Sequence, residues 1–145
     1  MRPPWIYLDT SVYLKLFLKE KGSARAKKIV KEHSLLSSAI LASECFSAFS
    51  RRKQGKEIDE KTFDRLVNRV KKDLPYIEII RVTDDVLKKT EEVALRTTAR
   101  TLDAIHIAST LSFLELTGIE LTFVTSDKKQ EDVAKNEGLK TIFVG

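Results

Sequence analysis

Two periods alternate along this chain. Short apolar runs rich in β-branched and aromatic residues occupy 5–9, 35–37, 76–82, 120–127 and 139–145. Between them lie longer stretches with apolar residues three and four apart. Runs of the first kind read as strands and stretches of the second as helices. A helix inserted between successive strands turns the chain back to its starting edge, so the strands run parallel and helices cover the sheet on both faces. The expectation is an α/β chain, a three-layer α/β/α sandwich around a five-stranded parallel sheet.

Punctuation sets the element boundaries. Helices are expected over 11–20 and 23–32, broken at Lys21-Gly22 with Ser23 as a cap, and over 38–53, ending near Gly55. Asp59 begins a helix that stops at Leu74-Pro75, and Thr83 and Thr101 cap helices running to about Arg96 and Leu116. Gly118 and Gly138 close the last two. With 145 residues, 42% of them hydrophobic, and no repeat or linker, one domain spanning 1–145 is expected. No stretch approaches the roughly 20 apolar residues of a membrane span, and the start lacks a signal-peptide pattern, so the expected location is cytoplasmic and no membrane partner is expected. The single cysteine, Cys45, sits among Phe46, Ala48 and Phe49 and reads as a small core residue.

The first strand ends in a bare acid, "WIYLD", followed by Thr10 and Ser11. In a parallel sheet the strand C-termini and the N-termini of packed helices share one edge, where ligands bind. Asp9 ends the first strand and Asp127 the fourth. Glu44 lies in the second turn of the helix after the second strand, and Asp103 in the first turn of the Thr101 helix, so four acids from separate parts of the chain can converge on that edge. Each has a plain structural alternative: Asp9 and Asp127 as helix caps, Asp103 as a partner of the helix dipole, Glu44 in a buried ion pair. Together they repel one another unless a cation or protons compensate. All-oxygen ligands select Mg²⁺ or Mn²⁺, whereas two histidines and one cysteine in no ligand spacing speak against zinc. His106 reads as a packed or partly exposed helical residue. A hard cation held by acids above a sheet points to phosphate chemistry.

The segments "YLDTSVYLKLF", "SSAILASECFSAF", "RTLDAIHIASTLSFL" and "LTFVTSDKKQEDVAKNEGLKTIFV" resemble, in order and spacing, the PIN-domain nucleases, and among them the small VapC-type toxins of toxin–antitoxin pairs. The resemblance implies sheet order 3-2-1-4-5, a homodimer, a cognate antitoxin and Mg²⁺- or Mn²⁺-dependent endoribonuclease activity on RNA, leaving 5′-phosphate and 3′-hydroxyl ends. It places the metal-binding catalytic acids on Asp9, Glu44, Asp103 and Asp127, with supporting hydroxyls from Thr10, Ser11 and Ser126. A housekeeping RNA-processing nuclease of the same family is the alternative, and a non-catalytic interaction module a more distant one. An aspartyl-phosphate phosphatase of the haloacid-dehalogenase type wants a second acid two residues after the first, where this chain has Ser11.

The net charge of +5 suits a polyanionic partner. Arg51, Arg52, Arg100 and Lys128 are the expected RNA contacts, Arg100 foremost because one helical turn separates it from Asp103. Apolar faces around Leu14, Phe17, Leu18, Ile29, Val30, Phe46 and Phe49 exceed what one small sheet is expected to cover, which places them at a dimer interface.

Overall fold

The structure, a computed structural model, describes residues 2–145. Five parallel strands form one sheet: β1 (Trp5–Leu8), β2 (Ser34–Ser38), β3 (Glu78–Ile80), β4 (Leu121–Thr125) and β5 (Lys140–Phe143), in the order β3-β2-β1-β4-β5. The helices are α1 (Thr10–Leu14), α2 (Ser23–Lys31), α3 (Leu41–Gln54), α4 (Glu60–Asp73), α5 (Asp84–Arg96), α6 (Thr101–Thr117) and α7 (Lys128–Asn136). β1 is central, its Tyr7 in register with Leu36 on one side and Phe123 on the other. The α/β/α sandwich and its strand order are those expected from the sequence.

The two-residue period of β1 divides the core. Ile6 and Leu8 face a cluster built with Val12 and Tyr13 of α1, Ile29 of α2, Leu41, Cys45 and Phe49 of α3, and Leu66 and Val70 of α4. Tyr7 faces the other cluster, with Val93 of α5, Ile107 of α6, Phe123 of β4 and Ala134 of α7. Phe49 and Phe123 are fully buried, each such side chain stabilising the fold by on the order of 3 kcal/mol. Phe49 and Ile29, expected at an interface, are thus core residues, and Leu14, Phe17, Leu18, Val30 and Phe46 pack partly buried against them. α4 supplies the cover that the sequence pattern did not suggest. The large apolar side chains that remain exposed include Tyr76, Leu95 and Leu116, on other parts of the chain.

Several boundaries differ from expectation: α3 begins at Leu41 rather than 38, because Ser38 still belongs to β2, and Gly22 and Arg100, not Ser23 and Thr101, stand at the N-caps of α2 and α6. The first helix stops at Leu14, because the backbone tightens into three-residue turns, Lys15 N–H to Val12 O, Leu16 to Tyr13 and Phe17 to Leu14. The chain then turns through Gly22 at φ +90°, where a Cβ would meet Gly145 O at 2.9 Å. The expected strand over 76–82 shrinks to Glu78–Ile80, its start delayed by a 3-10 turn over Leu74–Tyr76 that contains Pro75. Among the described residues no helix is long and apolar enough to cross a membrane.

Candidate active site

Asp9 follows β1 and extends its ladder by one bond, its N–H donating to Val124 O at 3.0 Å. It occupies the N-cap position of α1, yet its side chain makes no capping bond. Only 3% exposed, the carboxylate instead accepts two hydroxyls on Oδ2, from Thr125 at 2.6 Å and Ser11 at 3.0 Å. Ser11 Oγ in turn accepts the Ser126 N–H at 2.9 Å, which ties the end of β4 to the start of α1. The capping alternative therefore fails for Asp9.

Glu44, in the first turn of α3, is half buried and accepts on Oε1 from Thr10 Oγ1 and His106 Nε2, both at 2.6 Å. Burial pushes its pKa up, but the His106 hydrogen bond and charge, joined by Thr10, prevail and hold the carboxyl below its usual value. His106 lies fully buried on α6, with Nδ1 at 2.7 Å from Tyr7 OH and Nε2 at 3.1 Å from Thr10 Oγ1 and 3.8 Å from Asp9 Oδ1. Burial pulls its pKa down; Glu44, Asp9 and Asp103 outweigh that and raise it.

Asp103 opens the other half of the edge. Burial comes first in raising its carboxyl pKa, followed by the charges of Asp9 and Asp127, with Glu44 adding and His106 opposing. All four acids thus share one electrostatic neighbourhood. Asp127 does cap its helix, Oδ1 accepting from Lys129 N–H at 2.9 Å and Gln130 N–H at 3.2 Å. The buried Gln130 donates from Nε2 to Asp103 O at 2.9 Å and joins α7 to α6.

The remaining expected residues divide. Asp103 and Asp127 line a groove of about 240 Å³ with Arg100, Lys129 and Gln130. Glu44 lines a second, of about 230 Å³, with Ser43, Ser47, Arg51 and Leu102. Arg51 donates to Ser47 Oγ at 2.7 Å at this groove. Arg52 instead pairs with Glu57 at 3.4 Å, and Lys128 with Glu131 at 2.6 Å, so Lys129 rather than Lys128 lines the groove beside the acids. The Thr10 and Ser11 hydroxyls donate to Glu44 and Asp9, whereas Ser126 Oγ is buried without a hydrogen-bond partner.

Among the described residues no three His, Cys, Asp or Glu side chains form a ready-made metal cage. The donor chemistry nonetheless fits a hard cation: the acids at the edge offer oxygen, burial and then the neighbouring acids' charges raise Asp103, and a divalent ion would relieve the repulsive part. Cys45 offers no competing soft ligand, since it is buried and its thiol is pushed up to about 12, first by burial and then by Glu44.

Sequence reasoning missed the role of His106. It foresaw packing but not a wired position between Tyr7 and Glu44. The signal was present in spacing: His106 follows Asp103 by three residues on α6 and so shares its face, and Tyr7 on β1 precedes the extended Asp9 by two and so shares its side.

The model of the PIN domain family matches residues 6–136. The chain belongs to the PIN domain family. No curated protein matches it in sequence. Among solved structures, it is similar to FitAcB from Neisseria gonorrhoeae, with 16% identity, TM-score 0.72, and 94% of this chain and 96% of that one covered. A second likeness is to VapBC2 from Rickettsia felis bound to a promoter DNA fragment, with 14% identity, TM-score 0.69, and coverage of 97% and 99%. A third is to VapC20 of Mycobacterium tuberculosis, a sarcin-ricin loop cleaving toxin, with 15% identity, TM-score 0.63, and coverage of 88% and 93%.

Proposed function

We propose that this chain is a Mg²⁺- or Mn²⁺-dependent endoribonuclease, the toxin of a toxin–antitoxin pair. The observation that carries the reading is Asp9: a carboxylate at a helix start that caps nothing, 3% exposed, locked by two hydroxyls, and one of the acids whose charges add to burial in raising Asp103. Crowding several such carboxylates on one edge is costly, and a structural cap would not require it. Membership of the PIN family and the fold shared with toxin–antitoxin complexes support the assignment.

Asp9, Glu44, Asp103 and Asp127 are the residues that would hold the metal. A bound divalent cation supplies an activated water and offsets charge developing on the phosphate. Thr125 and Ser11 fix one oxygen of Asp9 and Thr10 one of Glu44, which limits reorganisation of these two acids as the substrate arrives. Arg100 and Lys129 on one side and Arg51 on the other offer positive charge to the phosphates flanking the scissile bond. Attack of water on phosphorus, with departure of the 3′-oxygen, leaves a 5′-phosphate and a 3′-hydroxyl. The partners in this reading are RNA, a second copy of the chain and an antitoxin that silences the acidic edge; it acts in the cytoplasm.

Purified protein incubated with end-labelled RNA should cleave in Mn²⁺ and not in EDTA, and expression alone should arrest bacterial growth until a small adjacent open reading frame is co-expressed. Light scattering should give twice the chain mass of 16.5 kDa. Cleavage without growth arrest would move the assignment to a housekeeping nuclease, and absence of metal-dependent cleavage would overturn it.

A further inference from the structure

Both hydrogen bonds to Glu44 fall on Oε1, and among the described residues Oε2 receives none. A carboxylate only accepts, so the 2.6 Å contact with His106 requires the proton on Nε2. The opposite ring nitrogen, Nδ1, is held at 2.7 Å by the Tyr7 hydroxyl. Tyr7 itself has little freedom: its ring stacks on Phe123 with centroids 5.5 Å apart and meets the imidazole edge-on at 5.7 Å. Tyr7, His106 and Glu44 therefore make a rod that begins buried on the central strand, crosses α6 and ends at half-buried Glu44 on α3. Such an arrangement costs desolvation of an imidazole and a phenol, and packing alone would be served by apolar side chains of the same size.

We propose that His106, clamped by Tyr7, is a positioning residue that fixes Oε1 of Glu44 and leaves Oε2 as the oxygen available to a divalent cation at the acidic edge. The inference rests on the metal site proposed above and deepens it. His106 touches no metal in this scheme; it sets how firmly Glu44 is presented. Residues that orient a ligand typically change metal affinity about 10- to 100-fold when removed.

The test separates the two ring nitrogens. In His106→Gln the amide nitrogen reaches the place of Nε2 and keeps a donor for Glu44. In His106→Asn the amide reaches only the place of Nδ1 and keeps the Tyr7 side. Calorimetric titration with Mn²⁺ should show binding weakened about tenfold or more in His106→Asn, most of that loss recovered in His106→Gln, and a smaller loss in Tyr7→Phe. Equal affinities across the unaltered protein and both His106 variants, or equal losses in Asn and Gln, would overturn the inference and leave a packing role. Should the variants fail to fold, long-range ¹H–¹⁵N spectra of the unaltered protein decide: a proton on His106 Nε2 supports the assignment, and a bare Nε2 overturns it. An unaltered protein that binds no Mn²⁺ would overturn the metal site and this inference together, whereas one that binds Mn²⁺ and cleaves RNA with both variants unaffected would overturn only the role of His106.

Discussion

Asp9 and Asp127 hold equivalent places and meet opposite fates. Each follows one of two paired strands, β1 and β4, whose Leu8 and Val124 are in register, and each stands at the N-cap of the next helix. Asp127 is exposed and commits its carboxylate to two helix N–H groups. Asp9 is buried and commits one oxygen to two hydroxyls, none to the helix. The contrast extends to their neighbours. Asp9, Glu44, Thr10 and His106 form a locked half of the edge, every polar bond drawn from within the fold. Asp103 and Asp127 form an open half, lining a groove with Arg100 and Lys129. Burial makes the difference: where water is excluded, a carboxylate must be met by donors held in place by the fold, and where it is not, the nearest helix end suffices.

The largest break in that comparison should come from exchanging one charge in each half. If the proposed site is right, Asp9→Asn should lower RNA cleavage by about a thousandfold, roughly 4 kcal/mol of barrier, because the proposed metal ligand would be lost from a place that cannot readjust. Asp127→Asn should lose only about tenfold, roughly 1.4 kcal/mol, since Asn caps a helix as well as Asp and the exposed side can readjust. Single-turnover rates in saturating Mn²⁺, with circular dichroism to verify folding, measure both. Equal losses would mean that the two halves are not distinct.

The lock itself is the next target. Thr125→Val keeps the shape of the side chain and removes the hydroxyl that donates to Asp9 at 2.6 Å. A buried carboxylate that loses one charged hydrogen bond should destabilise the fold by about 1.5–3 kcal/mol in EDTA. Added Mn²⁺ should restore part of that loss. The corresponding change beside the other half, Ser126→Ala, removes a hydroxyl that has no partner and should leave the melting temperature in EDTA nearly unchanged.

How much of this is readable from residues alone follows the same division. The alternation of strand and helix periods is legible, and with the family resemblance it places all five strands and the edge where the acids meet. That Asp127 caps and Asp9 does not is illegible, because both acids precede a helix in sequence. The distinction lies in Thr125, brought to Asp9 only by the pairing of β4 with β1. The cover of Phe49 by α4 escapes for a like reason, since an apolar helix face looks the same whether a second helix of the same chain or a second copy lies on it. His106 is underread because an imidazole in an apolar helix is silent about its hydrogen bonds until the strand carrying Tyr7 is set beside it.

Metal should stabilise the edge as a whole, and the pH of the experiment sets how visibly. Since the Asp103 pKa is raised in the folded protein, the folded state binds its proton more readily than the unfolded chain does. With EDTA present, the Asp103 contribution to stability therefore falls as pH rises from the ordinary value of 3.8 through the raised folded value. Glu44 acts oppositely, its stabilisation being lost as pH drops below 4.5 through the lowered folded value. Above both ranges the repulsion is fully developed, so Mn²⁺ at about 100 times its dissociation constant should add about 2.7 kcal/mol, or roughly 5–10 °C in melting temperature. The gain should shrink in Glu44→Gln and at acid pH. Superimposable melting curves with EDTA and Mn²⁺ at neutral pH would mean that the acids do not act together.

The smallest expected effect sharpens the open half. Arg100 and Lys129 share a groove with Asp103 and Asp127, and among the described residues no salt bridge engages either side chain. Free cations beside a reactive edge steer and hold phosphates rather than activate them, so their removal should act on binding and not on chemistry. Arg100→Ala combined with Lys129→Ala is expected to raise KM a few-fold with kcat nearly unchanged. For every phosphate no longer gripped by one of these cations, the slope of log affinity against log salt should fall by about 1. Lys128→Ala serves as the comparison, because that lysine is paired with Glu131 and lies near Asp132 and the Phe143 ring instead of the groove. KM and salt slope should stay as they are in Lys128→Ala. A Lys128 effect equal to that of the groove pair would show that general positive charge, not the placement of Arg100 and Lys129, attracts the RNA.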